Sequence, residues 1–230
     1  MEMTPERLVA LPADGTLHPV YLLAGPETLR VLEAADAVRK QARAQGIGER
    51  EIFDAEGRDF DWDTLEASFN APSLFSAQRV VEVRLPTGKP GKDGAEVISK
   101  FCANPPPDVI LLITAGDWSK AHHGKWTDAI SRIGVIAVAW AIKPHELAGW
   151  VESRLRAKGL RADSGAVQIL VERVEGNLLA AAGKYAARIG DPHYVAAVQQ
   201  FIREEQKHGA NLGRYIDGIA RSSGLLVLGL

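Results

Sequence analysis

One cysteine, Cys102, stands in 230 residues, so no intramolecular disulfide can form, and with no marker of activation beside it the expectation is a buried structural thiol. Nowhere do about 18 uninterrupted apolar residues occur, which removes a membrane-spanning helix. An excess of one charge is lacking too: the formal net charge is −2, which argues against a protein whose whole surface is a nucleic-acid footprint but leaves room for a local basic face. The first 17 residues carry acids and prolines rather than the basic stretch and apolar run of a secretory signal, so a cytoplasmic home is expected. The chain is 46% hydrophobic and 24% charged, enough for one domain or two small ones to bury a core without covalent help.

Five short runs of branched apolar residues, 20–23, 51–53, 79–85, 109–114 and 135–139, read as strands. The first and fourth are continuously apolar, as strands covered on both faces of a parallel sheet tend to be, and the segments between have helical spacing. The clearest helix spans residues 27–44. Pro26 is expected as its first residue, with Glu27 and Glu33 towards its positive end, Arg39, Lys40 and Arg43 towards its negative end, and Gly46 as its stop. Leu29, Leu32, Ala35 and Val38 then form the stripe facing the sheet. Residues 86–94 read as a Gly/Pro-rich loop and 104–108 as a stiff lead into the fourth strand. Alternating strands and helices predict an α/β layer structure with right-handed crossovers.

Beyond Ala139 only helical periodicity remains. The reading is an α/β domain over 1–140, a small helical domain over 141–189 and a helical tail over 190–230. Pro144 opens a helix with Leu147, Trp150, Val151 and Leu155 on one face, and Asp163 or Ser164 caps the next.

The turn after the first strand, residues 24–28, is where such a sheet usually takes a nucleotide, because N–H groups at a helix N-terminus attract phosphate. A P-loop needs G-x-x-x-x-G-K-S/T. Here Gly25 stands alone, no lysine follows, Pro26 has no N–H, and Glu27 puts negative charge where phosphate would sit. Neither ATP nor a dinucleotide is expected there, and no other cofactor is implied. His122 and His123, beside Lys120 and Lys125, read as a solvated loop rather than a metal or phosphate site. Glu205 and His208 share one face of a helix, the spacing used in di-iron bundles, but such a site needs a second Glu-x-x-His and two further Glu-bearing helices. A metal site there would require oligomerisation, and a solvated charged face is the simpler reading. Lys120, Lys125, Arg132, Arg154, Arg156, Lys158 and Arg161 form a candidate phosphate-facing patch, for which solvated helix faces are the alternative.

A nucleotide-binding architecture without nucleotide chemistry is itself informative. Residues 20–39, 73–83, 109–113 and 174–182, in this order and at these separations, resemble the delta-subunit family of the bacterial DNA polymerase III clamp loader. The similarity runs over residues 17–182. It implies an AAA+-like module without ATPase activity and a helical lid, a non-catalytic component of a DNA-directed DNA polymerase (nucleotidyltransferase) holoenzyme. The implied partners are the sliding clamp, the other loader subunits and, through the assembled complex, primed DNA. The family opens the clamp by inserting a hydrophobic pair into a clamp pocket, and the matching positions are Leu74 and Phe75. Residues 183–230 depart from the family: they do not resemble its third, collar domain and are too few to build it, which leaves assembly into the loader ring open while the matched clamp-binding positions stay in the first domain. An interaction module that holds some other partner on a degenerate nucleotide fold is the remaining alternative.

Overall fold

Six parallel strands, placed in the order β1-β6-β2-β5-β4-β3, carry the first part of the molecule. In the computed structural model, residues 1–57, 59–71, 78–157 and 161–174 are described. The elements are β1 (Glu2–Met3), α1 (Pro5–Val9), β2 (Val20–Ala24), α2 (Thr28–Ala44), β3 (Glu49–Asp54), α3 (Trp62–Asn70), β4 (Arg79–Leu85), α4 (Gly91–Ala103), β5 (Val109–Ala115), α5 (Lys125–Ile133) and β6 (Val135–Val138). Every residue of β2 is buried, as is all of β5 but Thr114, because helices cover both faces of the central strands. On one face Leu65 and Phe69 of α3, Val97, Ile98 and Phe101 of α4, and Trp126 and Ile130 of α5 close over Leu22, Val81, Val83, Leu111 and Ile113. On the other, Leu8 of α1 and the apolar stripe of α2 close over Tyr21, Leu23, Val80, Leu112 and Ala137.

Three local expectations are corrected. Helix α2 starts at Thr28 with Glu27 as its cap, so Pro26 precedes the helix instead of opening it. Of its expected stripe Leu29, Ala35 and Val38 are buried, whereas Leu32 is only half-buried and Val31, Ala34 and Ala42 complete the buried face. Small side chains let the helix approach the sheet closely, and that outweighs the size of Leu32. The third correction falls in the 86–94 loop: α4 takes over at Gly91, and Gly94 lies inside the helix because a Cβ there would come within 2.4 Å of Trp62 Cζ2.

The chain divides into two compact units, one of Met1–Ala141 and a second that begins at Ile142. The described part of the second unit is α6 (Pro144–Ala157) and α7 (Ser164–Val174), which pack on each other. Asp163 caps α7, its Oδ1 accepting from Ala166 N–H at 2.7 Å. Arg154 stacks 4.2 Å above the Trp150 ring. Residues 158–160 and 175–189 of the 141–189 domain and the whole 190–230 tail lie outside the described residues.

Candidate functional site

The end of β2 is sealed by its own chain. Gly25 adopts φ +134°, and a Cβ there would sit 2.3 Å from Ala139 O, so only glycine permits this approach of the turn to the end of β6. Gly25 N–H donates to Ala115 O at 3.0 Å, Glu27 N–H to Ala139 O at 3.3 Å and Thr28 N–H to Pro26 O at 3.0 Å. Pro26 has no N–H to offer. The four positions that would cradle phosphate therefore present no unengaged N–H. The nearest strong cation is engaged as well: Arg30 donates to Glu6 Oε1 and Oε2 at 2.6 and 3.1 Å and to Trp140 O at 2.6 Å.

Two other candidate groups are buried. Cys102 of α4 is buried in the hydrophobic cluster on that face of the sheet, and desolvation pushes its thiol up to about 12. His122 is not solvated, contrary to expectation. Its ring stacks on Trp118 at 5.3 Å and 19°, and Nδ1 accepts from Ser119 N–H at 2.8 Å, which fixes a short 3-10 turn over Lys120–His122. The signal for this lay in Trp118 and Trp126, whose burial draws the histidine inward. His123, Lys120, Lys125 and Arg132 are exposed. No group of three or more metal-ligating side chains exists among the described residues.

Charged groups within β4 escaped the sequence reading. Glu82 is fully buried, yet burial, which alone would raise its pKa, is outweighed by the arginines around it, and the carboxyl is held below its usual range. Arg39 is bidentate to it at 2.7 and 3.0 Å, Arg84 Nε donates at 3.2 Å and Arg50 lies 3.6 Å away. On the opposite face Arg79 is buried, and its Nη2 donates to Ser68 O and, at 2.8 Å, to Ala71 O, at the end of α3. Their signal was plain in retrospect: three charges spaced along one apolar strand, 79–85.

Leu74 and Phe75 lie outside the described residues, between Ala71 and Gln78. So do Glu205, His208 and Lys158. The structure therefore places only the turn residues Gly25, Pro26 and Glu27 and the flanks of the Leu-Phe segment. Among the described cations of the candidate phosphate patch, Lys120, Lys125 and Arg132 belong to the first unit and Arg154, Arg156 and Arg161 to the second.

A three-layer parallel α/β unit with this turn is an AAA+-like module. The solved Bacillus subtilis DNA clamp loader delta protein shares the fold at TM-score 0.59 and 20% identity, covering 77% of this chain and 53% of that one. The Thermotoga maritima RuvB Holliday junction branch migration motor shares it at TM-score 0.50 and 15% identity, covering 96% and 80%. The family model for DNA polymerase III, delta subunit, matches residues 21–137, about half of the chain, and the chain belongs to that family. It is 31% identical over 183 residues to DNA polymerase III subunit delta of Escherichia coli, covering 79% of this chain and 53% of that protein. To the Haemophilus influenzae subunit it is 29% identical over 183 residues, covering 76% and 52%. The chain spans about half the length of these curated relatives.

Proposed function

We propose that this chain binds the sliding clamp and favours its open form during clamp loading, working by binding energy and without ATP hydrolysis of its own. Family membership over residues 21–137 is the observation that carries the reading, because that span contains both the degenerate turn and the Leu74-Phe75 pair. The turn supports the second half: with the N–H groups of Gly25, Glu27 and Thr28 engaged and none on Pro26, a triphosphate has no cradle there. A module that cannot use ATP changes a partner's shape only by binding one of its states more tightly. The hydrophobic pair supplies that preference, since a few buried anchors dominate most interfaces. Neighbouring loader subunits supply the ATP-driven switching, and primed DNA is met through the assembled complex.

Equilibrium binding to the sliding clamp of the same organism, without nucleotide, tests this. Wild type binds, and Leu74→Ala/Phe75→Ala loses about 2–4 kcal/mol, a weakening of roughly thirtyfold or more. A folded wild-type protein indifferent to the clamp overturns the reading.

A further inference from the structure

We propose that Arg30 fixes the point at which the chain leaves the first unit and so confines the joint between the two units to Ala141 and Ile142. Up to that point the chain is held by the turn that follows β2. Ala139 N–H donates to Ala24 O at 2.7 Å and Ala139 O accepts from Glu27 N–H at 3.3 Å, which fixes the peptide that enters Trp140. Trp140 lies beyond Val138, the last paired residue of β6, and is half-exposed, so the sheet does not hold the peptide that leaves it. Arg30 does. Its Nη1 donates to Trp140 O at 2.6 Å, while Nε and Nη2 take the two carboxylate oxygens of Glu6 at 2.6 and 3.1 Å. One guanidinium thereby ties α1, α2 and the exit from β6. On the far side, Lys143 N–H donates to Glu146 Oε2 at 3.1 Å and Lys143 O accepts from Glu146 N–H at 2.8 Å, which closes the start of α6. Between the two held peptides lie only the backbone dihedrals of Ala141 and Ile142.

Stability is a poor account of this clasp. Arg30 stands in the first turn of α2, where the helix dipole disfavours a cation. An ion pair to an acid as exposed as Glu6, at 49%, adds little to folding. Arg30 itself is only 12% exposed, and a guanidinium forked on a carboxylate has one orientation, so its remaining donor is aimed at Trp140 O rather than free to wander. What the arrangement adds is direction. A hinge is the few residues that absorb a φ/ψ change, and its range falls with every residue that is held. The N–H groups of the turn after β2 are spent in part on this exit, so the freedom of the joint is set by the chain itself.

The test reads the spread of distances between spin labels placed at two exposed positions, Lys92→Cys in α4 and Ser153→Cys in α6, by dipolar spectroscopy. Cys102, buried and with its thiol pushed up to about 12, stays unlabelled at pH 7. The labelled chain is compared with its Arg30→Met and Arg30→Lys forms, each with its melting temperature and with amide exchange at Gly25 and Ala139. Releasing Trp140 adds two soft dihedrals to the four of Ala141 and Ile142, so in Arg30→Met the variance of the distance rises by about half. Arg30→Lys, whose ammonium cannot hold Glu6 and Trp140 O in one fork, gives an intermediate spread. Exchange at Gly25 and Ala139 stays as in wild type, because their hydrogen bonds do not use Arg30. An unchanged spread in folded Arg30→Met overturns the proposal. Faster exchange at Gly25 and Ala139 alongside a broader spread overturns it too, since Arg30 would then support the turn and not the exit. Should Arg30→Met fail to fold, Arg30→Lys decides in the same way, a broadened spread supporting and an unchanged one overturning. The clamp-binding reading stands or falls separately, on the clamp titration.

Discussion

Glu82 is a carboxylate with no access to water, made tolerable by the guanidinium groups of Arg39, Arg84 and Arg50. Its pKa is depressed in the folded state, so the stability it contributes is complete above the unfolded value of about 4.3 and disappears as pH falls through the lower folded value. The wild-type urea midpoint therefore drops between about pH 5 and 3 more steeply than that of Glu82→Gln. At pH 7 the same substitution costs about 3 kcal/mol, because it removes the buried charge partner of the largely buried Arg39 and leaves that guanidinium only Asp36; a loss under about 1 kcal/mol would mean that water reaches the pair. Cys102 gives a second prediction. With its thiol pushed up to about 12, it stays unmodified by a thiol reagent at pH 8 and reacts only once the chain is unfolded by denaturant. Rapid labelling of the native protein would contradict its burial. Cys102 was legible from the sequence because it has no chemical neighbours there. His122 was not, because its environment is made by Trp118, four residues away, curling back over it.

At the scale of elements, the α3–α4 contact depends on a missing side chain. Gly94 lets the Trp62 ring lie against the α4 backbone, and Gly94→Ala forces a Cβ into a 2.4 Å clash with a ring held by Phe60 at 4.8 Å. Overpacking of this kind costs about 1–3 kcal/mol, read as a shift in denaturant midpoint at constant m-value. Unaltered stability would mean that α3 is free to retreat. Five strands of the sheet were legible, four as runs rich in branched apolar residues and β3 from Ile52 and Phe53. β1 was not: two residues, Glu2 and Met3, carry no pattern, and they are a strand only because β6 offers an edge to pair with. α4 was read short at its start because Gly91 and Gly94 mimic a loop, whereas one has φ +72° at the helix entry and the other makes room for an indole. In the stripe of α2 Leu29, Ala35 and Val38 were legible, and Leu32 was read in place of Val31 and Ala34.

For the whole molecule, the engaged turn at Gly25–Thr28 predicts indifference to nucleotide. Magnesium ATP at about 5 mM leaves the melting temperature unchanged, since a ligand stabilises only what it binds. A rise of a few degrees would show that the turn opens. The layer architecture was readable from alternation alone, and Gly25, Pro26 and Glu27 are the three residues from which a turn without a phosphate cradle is expected. The hydrogen bonds that engage the turn were not readable, because their acceptors, Ala115 and Ala139, come from distant strands.

That distance has a kinetic side. Strand β2 pairs with β5 and β6, so its backbone emerges from the ribosome at Val20 and meets its strand partners only after Val109 and Val135 have followed. At 5–20 residues per second the interval is on the order of 5–20 s. During that time a strand that ends fully buried is a nascent segment without a strand partner, and holding it soluble falls to the charged face of α2, through Glu33, Arg39, Lys40 and Arg43, and to whatever chaperone meets the chain. The strand at the centre of the finished sheet is among the first made and the last enclosed.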